Sequence, residues 1–599
     1  MSVPGNTMVE IFLNRVATTP VLVAMRSNSG GRWNPITFRE FGRQAQEVAN
    51  GLISLGIEKG ERVSLLSRNC PEWYICDMGI MLAGGCTVPV YVTNSPPQVA
   101  HVLGHSRSRV ALVENGEQLE KIRECRSELP DLKSVVVFTG EGADEEERIL
   151  SLDALRRLGS SYEREHPQEV QERAGAVAPE DLATIVYTSG TTGMPKGAML
   201  THANAVWTVQ SAMKVLDLRE GMERLVCYLP LSHIFERLAS EWGGIYQGME
   251  VWFSETIDRL RPTLEECCPT FFVGVPRVYE KFAAGLKAHI REHPKRKLIE
   301  KAIGIGTRKA ELEQAGERLP LVLKAEHRTL DKLVLSKLRA GLGMDRVRLA
   351  ISGAAPLAPE VLRFIQALNI SLVEGYGLTE TTAPVSVAPP GKNRIGTVGP
   401  PLPEVEVRFD EDGEILVRGP NVFQGYFEDE TATREAFDED GFFRTGDVGK
   451  LDEVGYLKIT DRKKDLIITA GGKNIAPQEI EGRLKLAPLI SQAVVIGDQR
   501  PYVTALLTLD TEVADGWARQ RGIGAASVAQ LANHATVIQE VQAMVDRVNE
   551  GLSPVEQIKR WTLLGRDFTQ EAEEITPSLK VRRKVITERY CDTIEKMYG

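Results

Sequence analysis

No stretch of this 599-residue sequence is long and apolar enough to cross a bilayer. The most apolar early run, Met78 to Val92, is interrupted by Gly84, Gly85 and Pro89. The N-terminus lacks a basic segment followed by an apolar one, so no secretory signal is expected. Positive charge is also scarce. There are 72 Lys and Arg against 82 Asp and Glu, and the net charge of −10 argues against general nucleic-acid binding. The eight cysteines show no metal-ligand spacing and no Cys-x-x-Cys. Reduced thiols in a cytoplasmic protein are the expectation. What remains is an ordinary soluble composition, in a chain long enough for several large cores.

One stretch stands out: Tyr187-Thr-Ser-Gly-Thr-Thr-Gly-Met-Pro-Lys196-Gly197. Before it, Leu182 to Tyr187 is an apolar, β-branched run that reads as a buried strand. After it, Ala205, Val206, Val209 and Met213 have helical spacing over His202 to Val215. The loop between them combines glycines, which let backbone N–H groups approach an anion, with Ser/Thr donors and one mobile lysine charge. That is the composition of a phosphate cradle. It is not the Walker pattern, because Pro195 and Gly197 stand where glycine and a hydroxyl residue are required.

The whole string resembles the signature loop of the adenylate-forming superfamily: acyl-CoA synthetases, peptide-synthetase adenylation domains and luciferases. Further strings follow in that family's order. Cys227-Tyr-Leu-Pro-Leu-Ser-His233-Ile-Phe-Glu-Arg237 and Phe271-Phe-Val-Gly-Val-Pro-Arg-Val-Tyr-Glu-Lys-Phe282 resemble its long-chain fatty acyl-CoA synthetase branch. Ser352-Gly-Ala-Ala355 and Glu374-Gly-Tyr-Gly-Leu-Thr379-Glu380 resemble its adenine-binding walls, where small residues leave a slot and an aromatic offers a stacking face. Phe443-Arg-Thr-Gly-Asp447 and Asp461-Arg-Lys-Lys-Asp465 resemble its ribose-binding and hinge motifs. Thr469 to Glu479 resembles the segment lining the thiol approach, and Ile575-Thr-Pro-Ser-Leu-Lys580 the late-lysine motif. Many members have Ser-Gly-Lys there; Ser-Leu-Lys is the long-chain form.

The resemblance implies a set of roles. Lys580, Thr379, Glu380 and His233 are the expected catalytic residues, with Glu380 holding Mg²⁺. Thr188, Ser189, Gly190, Thr191, Thr192, Gly193 and Lys196 would bind the ATP phosphates. Gly353, Ala354, Ala355, Glu374, Gly375, Tyr376 and Gly377 would bind adenine, and Asp447 and Arg462 the ribose. Lys464 is the expected hinge, and Gly471, Gly472 and Lys473 the expected approach for CoA.

The implied fold is α/β. A large domain over residues 1–461 would carry parallel-type sheets with packed helices and a β-rich subdomain at 396–460. A linker at 462–465 would join it to a small, mobile α+β domain at 466–599. Glu141 to Glu180 is highly charged and reads as surface structure. Lys281 to Ala340 reads as a helical insert with 15 Lys/Arg and 7 Asp/Glu, hence +8 against −18 for the rest of the chain. That asymmetry makes peripheral contact with the inner face of an anionic membrane an expectation. The implied reaction is ligation of a long-chain fatty acid to CoA through an acyl-adenylate, releasing AMP and pyrophosphate. The alternatives are an adenylating enzyme that passes the acyl group to a carrier protein or another acceptor or stops at the adenylate, a luciferase-like oxidase, and a non-catalytic relic of the fold. Retention of Glu380 and Lys580 argues against the last.

Overall fold

The computed structural model describes residues 3–188, 194–254, 256–470, 473–524, 527–576 and 580–599, excepting the side chains of Ser29 and Asn474. Its largest sheet has seven strands: Ile149–Ser151, Ser134–Val137, Val110–Val113, Arg62–Leu66, Cys86–Val90, Leu182–Thr188 and Lys196–Thr201, in that spatial order. All neighbours are parallel except the last pair. A second sheet places Phe271–Gly274, Leu349–Ser352 and Leu372–Leu378 in parallel, with Ala383–Val387 antiparallel at one edge. A third joins Arg224–Cys227 and Glu250–Phe253 to the N-terminal hairpin Val23–Ser29/Arg32–Thr37. The parallel strands are nearly uninterrupted apolar runs because helices cover both faces.

Local chemistry sets the helix starts. Pro71, Pro96, Pro276, Pro359 and Pro477 each open a helix at its first residue, where the missing N–H costs nothing. Thr37 and Thr201 complete capping boxes. The charged stretch 141–180, expected as surface structure, holds the strand Ile149–Ser151 and two helices, Leu152–Glu165 and Glu169–Gly175. Its sparse apolar residues Leu152, Leu155, Val170 and Ala174 are buried, and the charges face outward. Gly159 is what lets Leu152–Glu165 lie on Phe38–Ser54; a Cβ there would sit 1.9 Å from the Glu47 carbonyl oxygen.

From residue 406 onward the texture becomes antiparallel, through Glu406–Phe409, Glu414–Arg418, Phe443–Leu451 and Leu457–Arg462. Arg462, read from sequence as the first linker residue, closes the last of these strands and lies in register with Asp447. The remaining chain packs a separate apolar cluster around Ile490–Ile496, Val503–Leu509 and Ile558–Leu563. The basic segment is helical: Pro276–Glu292, Arg296–Gln314, Leu321–Leu330 and Ser336–Ala340, with a π-helical turn at Asp331–Leu335. No helix among the described residues is long and apolar enough to cross a membrane.

Candidate active site

In open α/β sheets a ligand usually sits beyond the carboxyl ends of the parallel strands, and Thr188, Gly353 and Tyr376 lie at such ends. Leu182–Thr188 delivers Thr188, which faces Lys196 in antiparallel register. The sequence predicts a strand, a loop and then a helix. The structure instead inserts the strand Lys196–Thr201, paired with Leu182–Thr188, before the helix His202–Val215. That strand forms because both of its edges are used. One pairs with Leu182–Thr188, and the other bonds to residues 424–427, including Phe427 N–H to the Gly197 carbonyl at 2.8 Å. The expected donors Ser189, Gly190, Thr191, Thr192 and Gly193 lie outside the described residues. Lys196 stands 5.3 Å over the Tyr426 ring and 3.9 Å from Asp429. His101 holds the preceding turn through the Pro195 carbonyl at 2.8 Å.

The second sheet supplies the nucleotide walls. Gly353, Ala354 and Ala355 follow Leu349–Ser352, and Ala354 has φ +71°. Phe235 rests directly on Gly353. Glu374, Gly375, Tyr376 and Gly377 lie on Leu372–Leu378. Glu374 is buried and accepts the Leu357 N–H at 3.4 Å; burial pushes its carboxyl up to about 8. Gly377 is fixed by close packing, since a Cβ would lie 1.6 Å from the Ala383 carbonyl oxygen. Thr382 and Ala383 themselves take positive φ, a strain of the kind that clusters at binding sites.

Thr379 and Glu380 sit in the short turn between these strands. Glu380 Oε1 accepts the Tyr426 hydroxyl at 2.9 Å. Burial raises the Glu380 carboxyl, and Tyr426 opposes the shift. Asp447 Oδ2 accepts the Tyr376 hydroxyl at 2.7 Å, and Arg462 Nε stands 3.3 Å from Oδ1. Burial raises Asp447 as well, against the pull of Arg462. The expected adenine platform and ribose acceptor are therefore one hydrogen-bonded unit.

Two further expected residues meet this cluster. His233 follows Pro230 and accepts the Phe235 N–H on Nδ1 at 3.2 Å, so its proton belongs on Nε2. Burial and the charge of Lys580 push it down to about 3, so the ring is neutral. Lys580 is pinned to Thr576 by two hydrogen bonds, at 2.7 and 3.0 Å. Burial and Arg462 lower its ammonium to about 8, while Asp447 and Glu380 pull the other way. The late lysine, some 130 residues from Asp447 in sequence, thus shares a charge cluster with both carboxylates. Lys464 occupies the turn Arg462–Asp465, and burial lowers its ammonium. Gly471 and Gly472 lie outside the described residues. Lys473 is exposed, bonded through its backbone to Thr469.

Sequence reasoning missed Tyr426, Asp429 and His101, because each acts through another residue and carries no motif of its own. It also left Arg237 unplaced. Arg237 is fully buried. It is bidentate to Asp77 at 2.6 and 2.7 Å, bonded to Thr184, and flanked by the Trp73 and Trp242 rings. It fastens the π-helical turn Arg237–Trp242 beneath His233. Asp410, Asp412 and Glu414 could geometrically hold an ion, but Arg444 and Lys463 already pair with them. For Mg²⁺ the fit is at Glu380. Tyr426 orients that carboxylate, and one protein carboxylate plus substrate phosphates is a sufficient donor set for this cation.

The α/β sheets, the Tyr376–Asp447 hydrogen bond and the charge cluster of Lys580 with Glu380, Asp447 and Arg462 are consistent with the adenylate-forming class. Comparison with known proteins agrees. The model of the AMP-binding enzyme family matches residues 12–427, and that of the AMP-binding enzyme C-terminal domain matches residues 464–599. The chain belongs to the AMP-binding enzyme family. It is 40% identical over 573 residues to the long-chain-fatty-acid–CoA ligase FadD15 of Mycobacterium bovis, covering 95% of this chain and 93% of that one. It is 34% identical to the long-chain-fatty-acid–CoA ligase ACSBG2 of Xenopus laevis, covering 100% and 84%. Among solved structures, the anthranilate CoA ligase AuaEII with anthranoyl-AMP superposes with a TM-score of 0.73 at 22% identity, covering 97% of each chain. ATP-bound MatB from Rhodopseudomonas palustris gives 0.68 at 22% identity, covering 99% and 100%.

Proposed function

We propose that this protein ligates a long-chain fatty acid to CoA in two steps. The fatty carboxylate attacks the α-phosphorus of ATP, and pyrophosphate leaves. The CoA thiol then attacks the acyl carbon, and AMP leaves. The observation that carries the reading is the placement of Lys580 within the electrostatic reach of Glu380, Asp447 and Arg462. In that position an ammonium faces the charge that develops during adenylation. Lys196 and Thr188 would hold the outer phosphates, Asp447 and Arg462 the ribose, and Tyr376 the base. Mg²⁺ at Glu380, when bound, neutralises phosphate charge. Neutral His233 borders the acyl carboxylate and adds no repelling anion. Residues 1–461 and 466–599 act as the two moving bodies about the turn at 462–465, with Gly471, Gly472 and Lys473 serving the second step.

Relatives named as long-chain ligases support the choice of acid. So does a general term: each buried methylene contributes about 0.8 kcal/mol, favouring long chains in an apolar tunnel. The test is pyrophosphate release and thioester formation across acids of about 2 to 22 carbons, with and without CoA. Preference for chains of about twelve carbons or more is expected. A preference for acetate or butyrate overturns the acid, and CoA-independent turnover overturns the acceptor in favour of a carrier protein.

Peripheral membrane contact is the finer part of the proposal. Leu321, Val322 and Leu333 are exposed beside Lys324, Arg328 and Lys332. Five of the segment's seven acids pair with its own bases, so its excess positive charge remains for a partner. Basic groups at an anionic surface contribute about 1 kcal/mol each and are screened by salt. Salt-sensitive co-sedimentation with anionic but not neutral vesicles is expected; equal binding to both would refute it.

A further inference from the structure

The motif Val275 to Phe282 marks the long-chain branch in sequence, yet none of its residues enters the site chemistry above. Arg277, in the first turn of Pro276–Glu292, reaches out of the large unit. Its Nη2 donates to Ser491 Oγ at 2.8 Å and stands 3.3 Å from Asp510 Oδ2, both on the small unit. On its own side, Nη1 is 3.8 Å from the buried Glu280. The guanidinium is mostly enclosed, with 15% of its side chain exposed.

The receiving side is tied to the lysine loop. Ser491 Oγ donates to Asp567 Oδ2, and Asp567 Oδ1 accepts the Thr508 hydroxyl at 2.6 Å and the Phe568 N–H at 2.8 Å. The chain continues into Glu574, which Arg566 holds with two contacts of 2.6 Å. Arg582 N–H returns to the Glu574 carbonyl at 2.8 Å. Lys580 lies inside that loop. A second contact presses the same loop onto the large unit, where Gln98 Nε2 donates to Glu573 at 2.8 Å.

We propose that Arg277 is a positioning residue: its bond to Ser491 and Asp510 latches the small unit in the orientation that places Lys580 at the nucleotide. The latch exists only while the two units face each other this way. Rotation toward thioester formation must break it, so its free energy biases the first half-reaction over the second. The proposal rests on Lys580 serving adenylation.

The test separates the half-reactions in the full-length protein. Arg277→Ala strips Glu280 of its cation and can fail to fold. Asp510→Asn therefore carries the weight, because asparagine still caps the helix Thr511–Gln520. For each variant, pyrophosphate release reports adenylation, and thioester formation from supplied acyl-AMP reports the second step. Each single variant is expected to slow adenylation about tenfold, within the usual span of coupling between sites, and to leave the second step unimpaired. The double variant is expected to lose little more than either single one. Arg277→Lys is expected to recover part of the loss. Equal losses in both half-reactions, or fully additive losses, overturn the latch. Lys580→Ala run in parallel keeps the two ideas apart: loss of both half-reactions there overturns the lysine's role, whereas the Arg277–Asp510 coupling is read from the double variant alone.

Discussion

Replacing Tyr426 with phenylalanine removes one hydroxyl and leaves the ring. The ring keeps its edge contact with Phe423, at 5.0 Å between centroids, and its place beneath the Lys196 ammonium. What is lost is the 2.9 Å bond to Glu380 Oε1. Hydrogen bonds to charged groups contribute about 1.5–3 kcal/mol. A loss of that size corresponds to a factor of about 10–150 in rate or affinity. The carboxylate is already raised by burial, with Tyr426 among the groups holding it down, so the variant raises it further. Both effects weaken its hold on a hard cation. Tyr426→Phe is therefore expected to need more Mg²⁺ for half-maximal pyrophosphate release and to reduce adenylation by about one to two orders of magnitude. Thioester formation from supplied acyl-AMP and the thermal midpoint should change little. An unchanged Mg²⁺ dependence would refute the reasoning, because it would mean that Glu380 is oriented by something else or does not bind the metal.

Lys580→Ala is expected to reduce adenylation by about 10²–10³-fold, the usual cost of removing a preorganised charge, while sparing the second step in the same pair of assays. In the wild type, the cationic form predominates below about pH 8 and is lost as pH rises through it, so kcat/KM for adenylation should fall over that range. The kcat limb should lie higher, because bound phosphates favour the ammonium; a pH-independent kcat/KM between 7 and about 9.5 would contradict this. Glu380→Gln should abolish Mg²⁺-dependent ATP use with normal circular dichroism, and wild-type Mg²⁺ titration curves would count against it. Gly377→Ala should lower the thermal midpoint and nucleotide affinity together, since its methyl group collides with the Ala383 carbonyl; unaltered melting would show that the strand edge yields.

Most of the large elements were legible in the sequence because period and punctuation agree there. The helix at His202 to Val215 and the strand from Leu182 are set by local apolar spacing. The strand Lys196–Thr201 was not, because Lys-Gly-Ala-Met-Leu-Thr has weak β signals and is held by residues 424–427, more than two hundred positions away. The helices within 152–175 were hidden by charge: four buried side chains suffice to dock them. The site divides the same way. Residues proposed to touch substrate carry motifs, whereas those that bond to them or to their surroundings, such as Tyr426, His101 and Arg277, are defined only by what they reach across space. Arg462 shows a third case: it reads from sequence as the first linker residue, yet it closes the strand Leu457–Arg462, because a linker motif and a strand end share the same letters.

Lys196, Arg462 and Lys580 stand on separate segments: a strand of the large unit, the end of its last strand, and the small unit. If all three meet one nucleotide, as proposed, that nucleotide would be a fastener between two bodies as much as a ligand of either. By linkage, whatever ATP gained from Lys580 it would return as preference for the arrangement that brings the lysine in, and release of pyrophosphate would weaken that preference before the second step. The timing of the proposed cycle would then follow from the charge of its own leaving group.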